Sequence, residues 1–215
     1  MHAKSHKLLL VLICVLIIGL SSITASAHNI YGSTGLINIP TASIMPSGSV
    51  GAAFHQLRGG GHFSVVLGAF PGVEVGLASH FKQHSQTFAG SVKVQILQEQ
   101  DYPAVAVGLT TDGSQASYYL VGSMQLGIPG VRGHLGFGSG RYSRGFAGIS
   151  SVLNPVSIVS SDRKFTVPVT SLLVELDGTG LNAGVSLKFN QTLDARLMLM
   201  NFDSLGLGIS YSHRF

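Results

Sequence analysis

The chain has 215 residues, a formal net charge of +4 and only 10% charged residues, against about 25% in an ordinary soluble domain. Its positive charges are scattered, which excludes a nucleic-acid-binding surface, and its one cysteine, Cys14, excludes a disulfide framework. Glycine is abundant, at 28 residues, and tryptophan is absent. Beyond the first twenty residues no apolar run approaches the length of a membrane helix, about 20 residues.

The first element is an address. Lys4 and Lys7 precede the unbroken apolar run from Leu8 to Leu20, and small residues follow to Ala25-Ser26-Ala27. That is the pattern of a secretory signal peptide, with cleavage expected after Ala27. Cys14 would leave with it. Residues 28–47 come next, where Pro40 and Pro46 favour an extended, turn-rich path. This lead-in is expected either as a periplasmic segment or as a plug inserted into a lumen.

From residue 48 onward apolar and small or polar residues alternate. Phe63, Val65 and Leu67 share one face, Val73, Val75 and Leu77 the next, and Val92, Val94 and Ile96 another. The pieces are about ten residues long and are separated by turn residues such as Pro71-Gly72 and Pro129-Gly130. A period of two reads as strands with one oily and one wet face. Strands are expected near 48–58, 62–70, 73–81, 86–97, 103–111, 115–126, 131–139, 144–153, 164–176, 181–189, 192–201 and 205–215. That makes about twelve, within 10–14, and the stretch Asn154–Lys164 is the least patterned.

The wet faces carry the charges. Glu74, Lys93, Arg132, His134, Glu175, Lys188, Asp194 and Arg196 all alternate with apolar neighbours. On a lipid face a Lys or Arg would cost about 2–4 kcal/mol at the midplane, so these side chains are expected in a lumen. Glu175 is expected there as a solvated lumen carboxylate or, as the sharper alternative, paired across the lumen with Lys188 or Arg196. The fold class expected is thus all-β, an antiparallel transmembrane barrel of residues 48–215. Both barrel termini are placed at the periplasmic rim, with Pro71-Gly72, Pro129-Gly130 and Asn190-Gln191 on the same side. The competing reading is a soluble periplasmic β-sandwich that binds saccharide or a partner protein.

Two sets of residues carry resemblances. Leu207, Ile209, Tyr211 and Phe215 form an alternating strand ending in Phe, which resembles the C-terminal signature of bacterial outer-membrane barrels. The resemblance implies that the barrel-assembly machinery reads it. Further up the chain stand Gly35-Leu-Ile-Asn38-Ile-Pro40-Thr41-Ala42, Tyr102-Pro-Ala-Val-Ala-Val-Gly-Leu109 and Leu135-Gly-Phe-Gly-Ser-Gly140. Asp177-Gly178 with Asn182 completes the set. Their order and spacing resemble the YjbH-like family of outer-membrane proteins, of which this chain looks like a compact member. The resemblance implies a barrel connected with exopolysaccharide or capsule production and export, with polysaccharide-export components as partners.

Chemistry gives little else. The histidines after residue 27 form no HExxH motif, and His80 and His84 sit in a strand-to-loop region where i, i+4 spacing does not share a face. Ser139 lies in Gly138-Ser139-Gly140 rather than in a nucleophile elbow. No cofactor, metal or catalytic residue is expected. A lipase-like barrel enzyme is the third reading, behind the sandwich. The partners expected are outer-membrane lipid, the assembly machinery and the export components, with no nucleic acid.

Overall fold

The computed structural model describes residues 28–82, 85–154 and 167–215. Twelve strands follow one another: β1 (Ser49–Leu57), β2 (Gly60–Phe70), β3 (Val73–Lys82), β4 (Ser85–Leu97), β5 (Ala104–Asp112), β6 (Gln115–Gln125), β7 (Val131–Gly138), β8 (Phe146–Val152), β9 (Val169–Leu176), β10 (Leu181–Lys188), β11 (Leu193–Met200) and β12 (Ser204–Arg214). One short 3-10 turn, Gly140–Tyr142, lies between β7 and β8. Each strand pairs antiparallel with its chain neighbours, and β1 pairs with β12, from Ser49↔Arg214 to Gln56↔Leu207. The sheet closes on itself. A sandwich would leave open edges, so that reading is overturned, while the twelve-stranded barrel stands. The weakly patterned stretch at 154–164 falls, apart from Asn154, outside the described residues.

Alternation sorts the side chains. Leu77, Phe88, Leu135, Phe137, Leu205 and Leu207 are each more than 60% exposed and point outward. Among the described strands no outward-facing position holds an Asp, Glu, Lys or Arg, and the single outward histidine, His213, stands at the terminal-rim end of β12. Aromatic side chains gather towards both ends of this belt. Phe54, Phe63, Phe81, Phe88 and Tyr118 stand near one rim, and Phe70, Phe189, Tyr211 and Phe215 near the other. Strands rise about 3.3 Å per residue and tilt about 40°, so ten residues span roughly 25 Å of thickness. An uncharged apolar belt of that height between aromatic girdles is the surface of a membrane-spanning barrel.

The two rims differ. The terminal rim holds the start of β1 and the end of β12, joined where the Phe215 N–H donates to the Gly48 carbonyl at 3.0 Å. Pro71-Gly72 turns the chain there, with Gly72 at φ +77°. The far rim carries the turns at 58–59, 113–114, 139–145, 177–180 and 201–203. At the last of these, Asn201 and Phe202 both take positive φ, 52° and 55°. The Asp203 N–H donates to the Met200 carbonyl at 3.0 Å across the two, a β-turn whose positive φ pair suits the twist of a hairpin, although a Phe is an unusual occupant.

The core lies inside the barrel. Leu36, Ile37, Ile39 and Ala42 come from the segment before β1 and pack against Ala104, Ala106, Tyr119, Val121, Phe146, Leu173 and Met198 of the wall. Tyr119, Tyr142 and Phe146 add a ring cluster, with the first two centroids 4.9 Å apart edge to face.

Candidate functional site

Residues 28–47 sit in the lumen. Two prolines and the αL glycine Gly32 (φ +76°) keep this segment from forming a helix or strand, so its amides need other partners. Some are local: the Asn29 N–H donates to the Ser33 carbonyl at 2.8 Å, Ile30 to Ile37 at 3.0 Å and Leu36 to Ile39 at 3.0 Å. The Asn29 side-chain oxygen accepts the N–H groups of Tyr31 and Ser33 at 3.1 and 3.0 Å. The rest are supplied by the wall.

Glu74, on β3 near the terminal rim, is 1% exposed. It accepts the Thr34 N–H at 2.8 Å, the Ser33 and Thr34 hydroxyls at 2.8 and 2.5 Å, and the Met45 N–H at 2.9 Å. Lys93 on β4, directly opposite it in the ladder, closes the group. Its ammonium is 2.9 Å from Glu74 and donates to the Thr34 carbonyl at 2.7 Å. Near the far rim, Glu175 on β9 accepts three successive plug amides, Ile37 at 3.0 Å, Asn38 at 2.7 Å and Ile39 at 3.3 Å, and the Asn182 amide at 3.0 Å. Arg196 on β11 donates Nη1 to the carbonyls of His28 and Leu36, both at 2.8 Å, and Nε to Asp194 at 3.2 Å. Smaller straps come from Ser91, Gln95 and Ser123, whose side chains reach Gly32, Ala42 and the Ala42 N–H.

Glycines on the wall make this fit possible. A Cβ on Gly76 would overlap the Gly32 carbonyl, and one on Gly51 the His28 imidazole. The plug therefore lies directly on the sheet at these places, by its backbone at Gly76 and by the His28 side chain at Gly51.

All eight lumen candidates from the sequence face inward, and they separate by role. Glu74, Lys93, Glu175 and Arg196 hold the plug. Asp194 orients Arg196 and takes the Ser186 and Ser210 hydroxyls. Arg132 pairs with Glu99 of the terminal-rim loop instead. His134 bonds Ser123 at 2.8 Å and Ser150 at 3.3 Å, with no carboxylate in hydrogen-bond contact among the described residues, so no charge-relay arrangement forms. Lys188 lies half-buried opposite Asp194 in the ladder. Glu175 is neither solvated, being 1% exposed, nor paired with Lys188 or Arg196. The plug stands between the walls, and its backbone amides take both carboxylate oxygens.

The motif residues fall on this same seam. Asn38 donates to Asp177 at 2.6 Å, and Asn182 donates to Asp177 and Glu175, each at 3.0 Å. Gly35 is where a Cβ would strike the Ile39 carbonyl, and Pro40, Thr41 and Ala42 lead the chain down past Ser123. Gly178 takes φ +84° in the far-rim turn. Leu207, Ile209, Tyr211 and Phe215 point outward into the belt. Sequence reasoning missed Ser91, Gln95 and Ser123, whose only signal was an inward-facing polar position.

Outside the strands, charge states follow these contacts. Burial, reinforced by Arg196, lowers the His28 imidazole to about 4. Against the upward push of burial, hydrogen bonds from Thr179, Asn38 and Asn182 hold Asp177 at about 2. Glu99 is likewise held low, against burial, by the Gln125 N–H and by Arg132.

Comparison with known proteins adds a family. A model named YjbH, described as "Exopolysaccharide biosynthesis protein YbjH", matches residues 27–166, more than half of the chain. The Asp177–Asn182 motif lies beyond those residues. No curated protein matches. Among solved structures, the KdgM porin aligns with a TM-score of 0.49 and 13% identity over 78% of this chain and 99% of its own. The KdgM porin in complex with disordered oligogalacturonate gives 0.49 and 11% over the same shares. The outer membrane protein Omp33 of Acinetobacter baumannii gives 0.42 and 12%, over 78% of this chain and 97% of its own.

Proposed function

This chain belongs to the YjbH family of exopolysaccharide biosynthesis proteins, and we propose that it works there as a sealed, non-enzymatic barrel of the outer membrane. In this reading the barrel is an accessory to polymer production or export, not the conduit. The observation that carries it is the plug. Residues 33–42 are at most 8% exposed, and their straps reach walls on opposite sides of the lumen. A polysaccharide chain would have to displace both buried carboxylates from their donors, each loss costing about 1–3 kcal/mol or more.

The remaining surface is then what the barrel offers. Its uncharged belt suits outer-membrane lipid, its terminal rim faces the periplasm, and its Phe-ended last strand suits the barrel-assembly machinery. Export components would meet it at the rims.

The test is genetic. In a polymer-producing host, deleting the gene is expected to lower cell-surface exopolysaccharide several-fold, and the intact chain to restore it. Ser123→Ala and His134→Ala are expected to restore it equally, because neither acts on a substrate. Unchanged polymer after deletion would remove the accessory role, and failure of the His134→Ala chain at normal membrane levels would point to catalysis.

A further inference from the structure

A second cluster lies at the far mouth, where His55 stands at the level of Arg196 and the other two members lie beyond it. His55, His62 and His80 sit on β1, β2 and β3 at one register level, because His55 pairs with His62 and His62 with His80 across the ladders. All three face inward. His55 Nδ1, His62 Nδ1 and His80 Nε2 are buried without a hydrogen-bond partner in the protein. A buried polar nitrogen left in that state is unusual.

We propose that His62 and His80 form a two-nitrogen site for a divalent transition metal of the Cu2+ class. Geometry argues first. Two imidazoles bound cis to one ion, with metal–nitrogen bonds of about 2.0–2.1 Å at about 90°, place their ring centres roughly 4.5 Å apart. The His62 and His80 rings stand 4.4 Å apart at an interplanar angle of 56°. That spacing matches the tetragonal geometry that Cu2+ and Ni2+ prefer, and Cu2+ binds such nitrogen sites most tightly of the first-row divalent ions.

The free nitrogens argue second: each ring keeps one buried nitrogen, His62 Nδ1 and His80 Nε2, with no protein partner to occupy its lone pair or proton. Tyr31 packs on the His80 ring at 5.2 Å, with the Arg141 guanidinium over its other neighbourhood, 3.2 Å from the Tyr31 centroid. Lys82 and Arg141 oppose a cation electrostatically and Asp112 favours one.

His55 continues the row, but among the described residues no three such donors lie close enough to share an ion. Water would complete the coordination, and His62, only partly buried, leaves the entry path open to the mouth. Because the His80 ring packs on Tyr31, metal binding would tie the plug to the wall.

The probe is CuCl2 alone, titrated into the tag-free full chain folded in detergent micelles. One saturable equivalent is expected, with a Cu2+ paramagnetic resonance spectrum showing two bound nitrogens, and with an upward shift of the unfolding temperature. His62→Asn is the decisive variant, because its only ring contact among the described residues is with His80. It should fold to the same heat-modifiable form, weaken Cu2+ binding at least about tenfold and lose the thermal shift. His80→Asn should do the same, whereas His134→Ala and His213→Ala should bind as the native chain does. Absence of saturable binding to the native chain would overturn the site, and so would binding that survives His62→Asn. Neither result would bear on polymer production, so failure here is distinguishable from failure of the accessory role.

Discussion

Glu74 and Glu175 do the same job by different means. Both are 1% exposed, both face the lumen, and each accepts four hydrogen bonds from plug or wall groups. Glu74 has a buried ammonium, Lys93, at 2.9 Å. Glu175 has no cation within ion-pair distance among the described residues, and rests on three consecutive backbone N–H groups and one side-chain amide. A concave run of main-chain amides can hold a carboxylate much as a counter-ion does. The difference predicts different penalties for losing each one.

The largest effect belongs to Glu74→Ala. It removes the acceptor for Ser33, Thr34 and Met45 and leaves Lys93, which is 0% exposed, paired only with a carbonyl. An uncompensated buried charge of this kind costs about 3–5 kcal/mol, readable as a lowered urea midpoint in micelles. A loss under about 1 kcal/mol would show that the ion pair is not the root of the plug. Glu175→Gln keeps the shape and turns one acceptor into a donor facing an N–H. It should cost about 1–3 kcal/mol, less than Glu74→Ala. If the order reverses, the amide nest is the stronger anchor and the comparison inverts.

The smallest effect is a pH dependence at the edge of the Glu175 nest. Asp177 is held at about 2, below its ordinary 3.8, so its ionised form favours the folded state. The stability it adds is complete above pH 4 or so and is lost as the pH falls through about 2. Unfolding of the native chain against Asp177→Asn, followed from pH 6 to pH 2, should show a small constant gap that closes at the acid end. A gap that widens on acidification would contradict the hydrogen bonds from Thr179, Asn38 and Asn182.

The wall was legible in the sequence because lipid imposes a strict period of two on every strand. Leu205, Leu207 and Ile209 must face out, so Gly206 and Gly208 must face in, and the pattern survives without any knowledge of neighbours. The same parity placed Glu74, Lys93 and Glu175 on the wet face. Their partners were not legible. A pairing across a lumen depends on where each strand stands around the barrel and on what fills the space between. The sequence suggested Lys188 or Arg196 for Glu175, but the amides of Ile37–Ile39 intervene. Gly51 and Gly76 read as lumen residues chosen for smallness. Their reason is the plug pressed against them, its His28 side chain on Gly51 and its Gly32 carbonyl on Gly76, which no local pattern announces.

The bond between the Phe215 N–H and the Gly48 carbonyl has one more consequence. Gly48 is where the plug leaves the lumen and becomes the first strand, and Phe215 is where the last strand stops. The final peptide group thus closes the wall and doubles as a latch on the plug's root. A chain clipped by one residue would therefore be loosened at both of its ends at once, in the seam and in the filling, although only the seam was cut.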